Sequence, residues 1–268
     1  MKKVNKRKGN RLILVIILLS IALLALIFLL VRGIKNLMPI YKSEERTENI
    51  KNYKVTDVDA EVAAWLRVQG TNIDYPVIDN NTTVGVSRIK PDFTWTQGDI
   101  SPLPNKLFIL GHNIKNVSSN PLITAKDHTR FEQLLSFVYY DFIKENKYIQ
   151  YTIDGTDYLY KIFSVAFVDD STLDYESTNY SKEEMKKYIN QSKKDSFFDF
   201  DIDVNENDKI ISLITCTRFF GATRKYDFKI DARMVRKKER ATNYSVKKNK
   251  NYSKIEKIMR GENDEQEA

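Results

Sequence analysis

The stretch KIISLITCTRFFGATRKYDFKIDARMV, residues 209–235, carries the strongest structural signal in this chain. Its two apolar halves are separated by a turn-forming segment around Gly221, which predicts two β-strands. The only cysteine of the 268 residues, Cys216, is then the last residue of the first strand. Alternation puts it on one face with Ile210, Ser212 and Ile214, whereas Ile211, Leu213 and Thr215 share the other face. A lone cysteine is most often a buried hydrophobe, but a thiol at a strand end can face a barrel rim, where catalytic groups gather.

The rest of the folded region is also rich in strand patterns. The segments WLRV, IDYPVI, KLFILG, YIQYTI and YLYKIFSVAFV are short and apolar, and turn-forming sequences such as QGTN, DGTD and NEND separate the strand patterns. At least seven strands with few helices predict an all-β barrel or sandwich. Two helical insertions are expected, TRFEQLLSFVYYDFIKEN and SKEEMKKYINQSKKDSFF. The second begins at Ser181 with Glu184 three residues later, the pattern of a capping box.

The N-terminus predicts a membrane anchor. Residues 1–11 contain six Lys and Arg, and an uncharged apolar run then begins at Leu12 and ends at Val31. As a helix this run would be about 30 Å long, the thickness of a bilayer core. The positive-inside rule places residues 1–11 in the cytoplasm and the chain after the anchor outside. Because the run is longer than a signal-peptide core and no A-x-A site follows it, an uncleaved anchor over 12–31 is favoured.

Three further regions are predicted after the anchor. Residues 32–64 are charged, and their apolar positions have roughly helical spacing, which indicates a helical linker. Residues 65–235 are long and apolar enough to form one domain with an ordinary core, since a single cysteine makes no intrachain disulfide. Residues 236–268 are rich in Lys and Asn and then acidic, which predicts a flexible tail with a marginal helix near 252–260.

Charge and metal-ligand spacing exclude several classes of function. The net charge of +7 comes from the two termini, so the region between them has no basic excess with which to bind nucleic acid. One cysteine and two distant histidines provide no zinc spacing. The segment DFDIDVNEND, residues 199–208, has the alternating Asp of a calcium loop but lacks its Gly and Glu, so a polar turn is predicted. No metal and no cofactor are expected.

The candidate chemistry lies in a strand-end histidine, a strand-end cysteine and an arginine. His112 follows the KLFILG strand in a Gly-His-Asn turn, whereas His128 lies at a probable helix start and is predicted to be a surface residue. Arg224 begins the last strand and offers five hydrogen-bond donors, and Arg218 is a competing candidate. A thiolate on Cys216, an imidazole and a guanidinium could act as nucleophile, acid/base and oxyanion partner. The combination is suited to acyl transfer.

These residues resemble the sortase family, and class B in particular, over residues 50–235. AAWLRVQGTNIDYPVID is similar to the family's opening segment, FILGHN to its Gly-His strand end, and LITC to its Leu-x-Thr-Cys motif. RFEQLLSF, YKIFSVAFVD and the long helix from Ser181, between the sixth and seventh strands, resemble class B. The resemblance implies an eight-stranded barrel and a thiol transpeptidase on the outer face of a Gram-positive membrane.

The resemblance also implies roles for individual residues and partners. The enzyme would cleave the C-terminal sorting signal of a surface protein or pilin, hold the protein as a thioester on Cys216, and transfer it to a cell-wall amine or a pilin lysine. His112 would be the acid/base and Arg224 would stabilise the oxyanion, while Leu213 and Thr215 would contact substrate. Arg224 lies about three residues farther from the ARMV strand end than the family pattern predicts, so Arg218 stays an alternative.

Two other functions stay open. A cysteine peptidase would hydrolyse rather than transfer, although in papain-like enzymes the cysteine precedes the histidine, the reverse of the order here. A membrane-tethered binding or scaffold module would keep Cys216 as a structural residue. Alkylation of the thiol distinguishes these possibilities, because buried structural thiols are inert.

Overall fold

The computed structural model describes residues 2–37, 62–79, 94–98, 100–113, 131–172, 175–217, 219–220 and 225–259. The chain divides into two units, Met1–Tyr41 and Lys42–Ala268. The first unit contains the helix α1, Lys2–Leu37. Within α1 the window Val15–Arg32 has a mean hydropathy of 3.0 and is long and apolar enough to cross a membrane.

Eight strands of the second unit close into a barrel. They hydrogen-bond in the order β2-β1-β5-β6-β10-β9-β4-β3, and β3 pairs back onto β2. The pairs β2–β3 and β4–β9 are parallel and the other six are antiparallel. The barrel strands are β1 Val62–Val68, β2 Asp74–Asp79, β3 Thr94–Gly98, β4 Lys106–Gly111, β5 Tyr148–Ile153, β6 Thr156–Asp169, β9 Ile210–Cys216 and β10 Tyr226–Met234. The predicted eight-stranded, mainly β fold is confirmed.

Short strands and helices decorate the barrel. β7, Glu176–Ser177, pairs with β3, and β8, Phe198–Phe200, pairs with β11, Val246–Lys248. The first helical insertion consists of a 3₁₀ helix, Phe131–Val138, and α2, Tyr140–Glu145. A second 3₁₀ helix, Asp170–Thr172, follows β6. α3, Lys182–Asp195, lies between β6 and β9, and α4, Tyr252–Met259, ends the described chain.

The predicted capping box starts α3. The Ser181 hydroxyl accepts a hydrogen bond from the Glu184 amide at 3.3 Å, and the Glu184 carboxylate accepts one from the Ser181 amide at 2.7 Å. Both contacts satisfy backbone donors that the first turn of a helix leaves unpaired. α3 is therefore fixed at the sequence position where the pattern predicts it.

The alternation predicted for β9 separates two cores. Ile211 and Leu213 face the main core inside the barrel. Ile210 lies on the opposite face, where it packs with Met185 and Ile189 of α3 in a second apolar cluster. The outer face of β9 is thus covered by α3 near its start and approaches solvent only at Cys216, its exposed end.

Two predicted boundaries differ from the structure. The helical linker predicted over 32–64 lies largely outside the described residues, but 62–64 belong to β1, because Ala64 is a barrel-wall residue that pairs with Val77 and Ile153. Residues 236–259, predicted as part of a flexible tail with a marginal helix near 252–260, contain the unpredicted strand β11 and, at the position of that helix, α4. Three of their apolar side chains, Val246, Tyr252 and Ile255, are buried in the main core.

Candidate active site around Cys216

Strand register brings His112 and Cys216 to the same edge of the barrel. β4 and β9 run parallel, and their last paired residues are Gly111 and Thr215. His112 comes directly after Gly111, and Cys216 comes directly after Thr215. The two residues therefore lie at the same level, one position beyond the last pair of the two strands. Cys216 is exposed and His112 is half-buried. Because parallel strands end at one edge, the two groups identified from sequence are neighbours in the fold.

The backbone of His112 is held by the start of the 3₁₀ helix Phe131–Val138. The amide of Phe131 donates a hydrogen bond to the carbonyl oxygen of His112 at 3.0 Å. Gly111 precedes the histidine because the Phe131 ring occupies the space of a side chain there: a Cβ on Gly111 would lie 2.4 Å from Phe131 Cγ. The Gly-His sequence therefore lets the buried 3₁₀ helix pack against the end of β4.

Trp95 orients the imidazole from the neighbouring strand. The ring centroids of Trp95 and His112 are 4.8 Å apart and the rings are inclined by 49°. Trp95 lies on β3 and is buried, so one side of the histidine rests on a fixed apolar surface. β3 was missed by the strand patterns because TWTQG has no apolar alternation, and a tryptophan in a polar segment was the only available signal.

The predicted substrate contacts Leu213 and Thr215 lie on the inner side of the barrel wall. Leu213 belongs to the main core and is 0% exposed. Thr215 is buried too, and its hydroxyl donates to the carbonyl oxygen of Gly111 at 2.8 Å. The structure gives no support to a substrate-binding role for either side chain, since the alternation that exposes Cys216 turns both of them inward.

An acidic residue on β10 faces the thiol. Asp227 is the register partner of Cys216, so the two side chains lie next to each other on the outer face of the barrel. Tyr175 lies on the other side of this carboxyl group, with its hydroxyl hydrogen-bonded to Asp227 and, at 2.6 Å, to Asp170. Burial raises the pKa of Asp227 to about 6, and the negative charge of Asp170 raises it too, while the hydrogen bonds from Tyr175 and Cys216 oppose the shift.

The predicted arginines and the second histidine cannot be added to this geometry. Arg218, Arg224 and His128 lie outside the described residues. β10 begins at Tyr226, and the residues that share its parity, Phe228 and Ile230, face the main core. Strand parity therefore does not place Arg224, which precedes the first strand residue.

The described part of the turn after Cys216 is aromatic. Phe219 stacks on Phe167 of β6 with ring centroids 4.6 Å apart and an angle of 21°. Phe220 is 39% exposed and packs against Tyr226 at 4.6 Å. These contacts tie the start of the turn to β6 and β10 beside the thiol.

Arg236 binds two carboxylates of residues 199–208, the segment predicted to be a polar turn. Arg236 donates to Asp208 through Nε and Nη2, both at 2.7 Å, and to Asp203 through Nη1 at 2.7 Å. The Asn205 amide closes the turn onto the Asp208 carboxylate at 2.9 Å. These two carboxylates link the turn to the end of β10.

Chemically, the edge around Cys216 combines an accessible sulfur nucleophile with a potential proton carrier. An exposed thiol can reach a substrate carbonyl, and a half-buried imidazole at the same edge can exchange a proton with an amine. The surrounding strands fix both residues on a rigid frame. This combination is suited to cysteine-dependent acyl chemistry.

Comparison with known proteins identifies the fold and its relatives. No protein-family model matches the chain. It is 25% identical to sortase B of Listeria monocytogenes over 199 residues, 66% of this chain and 74% of that protein. It is 21% identical to sortase B of Staphylococcus aureus over 172 residues, 63% and 68% of the two chains.

Solved structures agree with these relatives. Clostridium perfringens sortase B is 25% identical, with a TM-score of 0.54 that covers 71% of this chain and 100% of that one. The Staphylococcus aureus sortase B–substrate complex shares the fold, with a TM-score of 0.55 at 19% identity, over 75% and 92% of the chains. The resemblance to class B sortases found in the sequence motifs is confirmed, and it supports a sortase-type cysteine transpeptidase in general terms.

Proposed function

We propose that the protein is a membrane-anchored transpeptidase that joins a sorting-signal-bearing protein to an amine, with Cys216 as the nucleophile. The observation that carries the proposal is the parallel register of β4 and β9, which brings the exposed thiol and His112 to one edge. The apolar window of α1 would anchor the enzyme, with the basic residues 1–11 in the cytoplasm and the barrel outside.

In the proposed reaction, His112 takes the thiol proton of Cys216, and the resulting thiolate attacks the carbonyl carbon of the scissile peptide bond. The C–N bond breaks, the leaving amine takes a proton from His112, and the acyl group stays on sulfur as a thioester. An acceptor amine then attacks the thioester and gives a proton to His112, which passes it to the departing sulfur and restores the thiol. Arg224 is proposed to stabilise the oxyanion that forms in each step.

The acceptor is proposed to be a cell-wall peptide amine or a lysine of a pilin subunit. A peptidase would pass the acyl group to water instead, and a scaffold module would form no acyl adduct. Because the thiol is exposed, a purely structural role for Cys216 is the less favoured alternative.

The decisive experiment is mass spectrometry of the full-length protein in detergent with a panel of sorting-signal peptides. An acyl adduct on the peptide that contains Cys216, and its discharge by an added amine with formation of the joined product, are expected. Cys216→Ala should form neither product. An adduct that gives only the free acid in the presence of amine would indicate a peptidase, and the absence of any adduct across the panel would contradict the proposal.

A further inference from the structure

A chain of polar side chains leads away from the thiol on the outer face of the barrel. Cys216 lies beside its register partner Asp227, whose carboxyl group is hydrogen-bonded to Tyr175, and Tyr175 is hydrogen-bonded to Asp170. Asp227 is only 6% exposed, and the cysteine at the end of the chain is exposed. The carboxyl group of Asp227 is therefore largely shielded from bulk solvent, whereas Cys216 is accessible to it.

The neighbouring elements supply few other charges to this carboxyl group. Three side chains act on the Asp227 carboxyl group: Cys216 from β9, Asp170 from the segment after β6, and Tyr175 from the position before β7. The β6 residue opposite Asp227 is Val168, which is apolar. Among the described residues, the adjacent ion pair is Lys225 with Asp169, at 3.9 Å and with side chains 60% and 31% exposed. Lys229, two residues along β10, is bound to Asp231 at 3.0 Å.

The proton count constrains the state of this chain. The Tyr175 hydroxyl has one proton but lies within hydrogen-bond distance of two carboxyl groups. Its single proton is donated to one of them or shared between both. When Asp227 is ionised, its remaining lone pairs favour the protonated form of Cys216, because a thiolate beside a carboxylate would place two negative charges together.

We propose that Asp227 is a positioning residue that accepts the thiol proton of Cys216 in a hydrogen bond and holds the nucleophile as a neutral thiol in the resting enzyme, with Tyr175 and Asp170 fixing the carboxyl group. The link to catalysis rests on the proposed function, but the effect on the thiol does not. Alkylation by iodoacetamide reports the thiolate directly and needs no sorting peptide. Failure of the transpeptidase proposal and failure of this one are therefore distinguishable.

The test compares pH–rate profiles for iodoacetamide alkylation of full-length wild type, Asp227→Asn and Tyr175→Phe. Asp227→Asn replaces the carboxylate with an amide of the same shape that can donate to a thiolate. We expect its profile to move to lower pH by about one unit, which is about tenfold faster alkylation at pH 7. Tyr175→Phe removes a hydrogen bond that favours ionised Asp227, so its rate at pH 6–7 should lie between the other two.

Asp169→Asn is the matched control. It also removes one negative charge near the end of β6, where the Asp169 carboxylate is 31% exposed, lies 3.9 Å from Lys225, and accepts hydrogen bonds from the amide and hydroxyl of Ser171, which the Asn amide oxygen can still accept. We expect its profile to differ from wild type by less than about twofold in rate. Thermal unfolding of each variant checks that the barrel is intact.

The proposal is overturned if folded Asp227→Asn has the wild-type profile or a profile moved to higher pH. If Asp227→Asn does not fold, Tyr175→Phe decides, and an unchanged profile in that variant overturns the proposal. A shift in Asp169→Asn as large as that in Asp227→Asn would also overturn it, because the effect would then belong to net charge and not to the hydrogen bond.

Discussion

At the scale of single residues, the backbone of Cys216 is held in the sheet while its side chain is exposed. Its backbone is paired with Asp227 of β10 and follows the last rung between β9 and β4. Its side chain is exposed, whereas the preceding Thr215 is bonded into the barrel wall. Because the ladder fixes the position of the sulfur, substitution of the thiol should affect reactivity far more than folding.

The pairing of Cys216 with His112 predicts unequal effects for the two histidines. His112→Ala should lower the rate of acyl-adduct formation by about 100- to 10,000-fold, the range for loss of a general acid or base. His128→Ala is the matched control and should change that rate little, because its predicted place is the surface. The rates are measured by quenched-flow mass spectrometry with a reactive sorting peptide. Equal effects of the two substitutions would refute the pairing.

The oxyanion partner is predicted to be Arg224 and not Arg218. Arg224→Ala should slow acylation by about 100- to 1,000-fold with little change in peptide affinity, because an oxyanion exists only near the transition state. Arg224→Lys should restore only part of the rate, since a point charge on a flexible stem does not reproduce the planar guanidinium. Arg218→Ala should change the rate by less than about tenfold. The reverse order of effects would assign the oxyanion role to Arg218.

How well the sequence predicts a site residue depends on the strand that carries it. His112 and Cys216 end strongly apolar strands, so alternation and position made them visible. Asp227 was not identified, because its proximity to the thiol depends on the register between β9 and β10, which the sequence does not specify. Tyr175 lies in an irregular segment and Trp95 on a polar strand, and neither follows a periodic pattern.

At the scale of elements, α3 covers a buried polar cluster on the outer face of the barrel. Asp231 of β10 accepts hydrogen bonds from Ser212 and from the Tyr188 hydroxyl of α3, and Lys229 Nζ lies 3.0 Å from it. Lys106 of β4, fully buried, donates to Ser212 at 2.6 Å. Burial lowers the pKa of Lys106 well below its ordinary value, although the charge of Asp231 opposes this shift. Two lysines and one aspartate thus share a site that is buried from solvent.

Removal of the single anion should be far more destabilising than removal of Lys106. Burial works against ionisation of Asp231, but Lys229, Lys106 and the hydroxyl donors outweigh it and lower its pKa. Asp231→Ala would leave Lys229 buried without its counter-charge, so the free energy of unfolding should fall by about 3–5 kcal/mol. Lys106→Met leaves Ser212 bonded to Asp231 and should be neutral or stabilising at pH 7. Urea unfolding of both variants measures the difference.

The lowered pKa of Lys106 predicts how its contribution to the free energy of unfolding changes with pH. With its pKa lowered in the folded state, Lys106 binds fewer protons there than in the unfolded chain, so its contribution to stability increases with pH up to about 10.4. The advantage of Lys106→Met over wild type should therefore shrink between pH 7 and pH 9.5. An advantage that grows over this range would show that Lys106 is charged in the folded protein.

Elements were predictable where local pattern and tertiary environment agree. The Ser181 capping box and the apolar strands are local signals, and the corresponding elements are present. β3 escaped prediction because it is held by pairing with β2 and β4 and not by its own apolar residues. β11 is a three-residue strand, which exists because β8 offers it a partner.

At the scale of the whole molecule, residues 236–259 close one side of the barrel domain. Lys147 Nζ donates to the carbonyl oxygen of Tyr244 at 2.7 Å, and the Tyr148 hydroxyl donates to that of Thr242 at 2.6 Å. The Tyr140 hydroxyl donates to the carbonyl oxygen of Val246 at 3.0 Å. A composition rich in Lys and Asn predicted flexibility, since such segments bury little apolar surface on their own. Here a few apolar side chains bind to a surface formed by distant residues, which composition does not reveal.

Tyr252 is predicted to be a stabilising contact of this segment. Its side chain is 5% exposed, and its ring centroid lies 5.2 Å from that of Phe198 in β8. Tyr252→Ala should lower the free energy of unfolding by about 3 kcal/mol, as expected for truncation of a large buried aromatic residue. Lys254→Ala, at an exposed position of the same helix, is the control and should change it by less than about 0.5 kcal/mol. If urea unfolding of the two variants gives the same midpoint as wild type, α4 adds nothing to the stability of the barrel domain, and the tail acts as the flexible extension that its composition suggests.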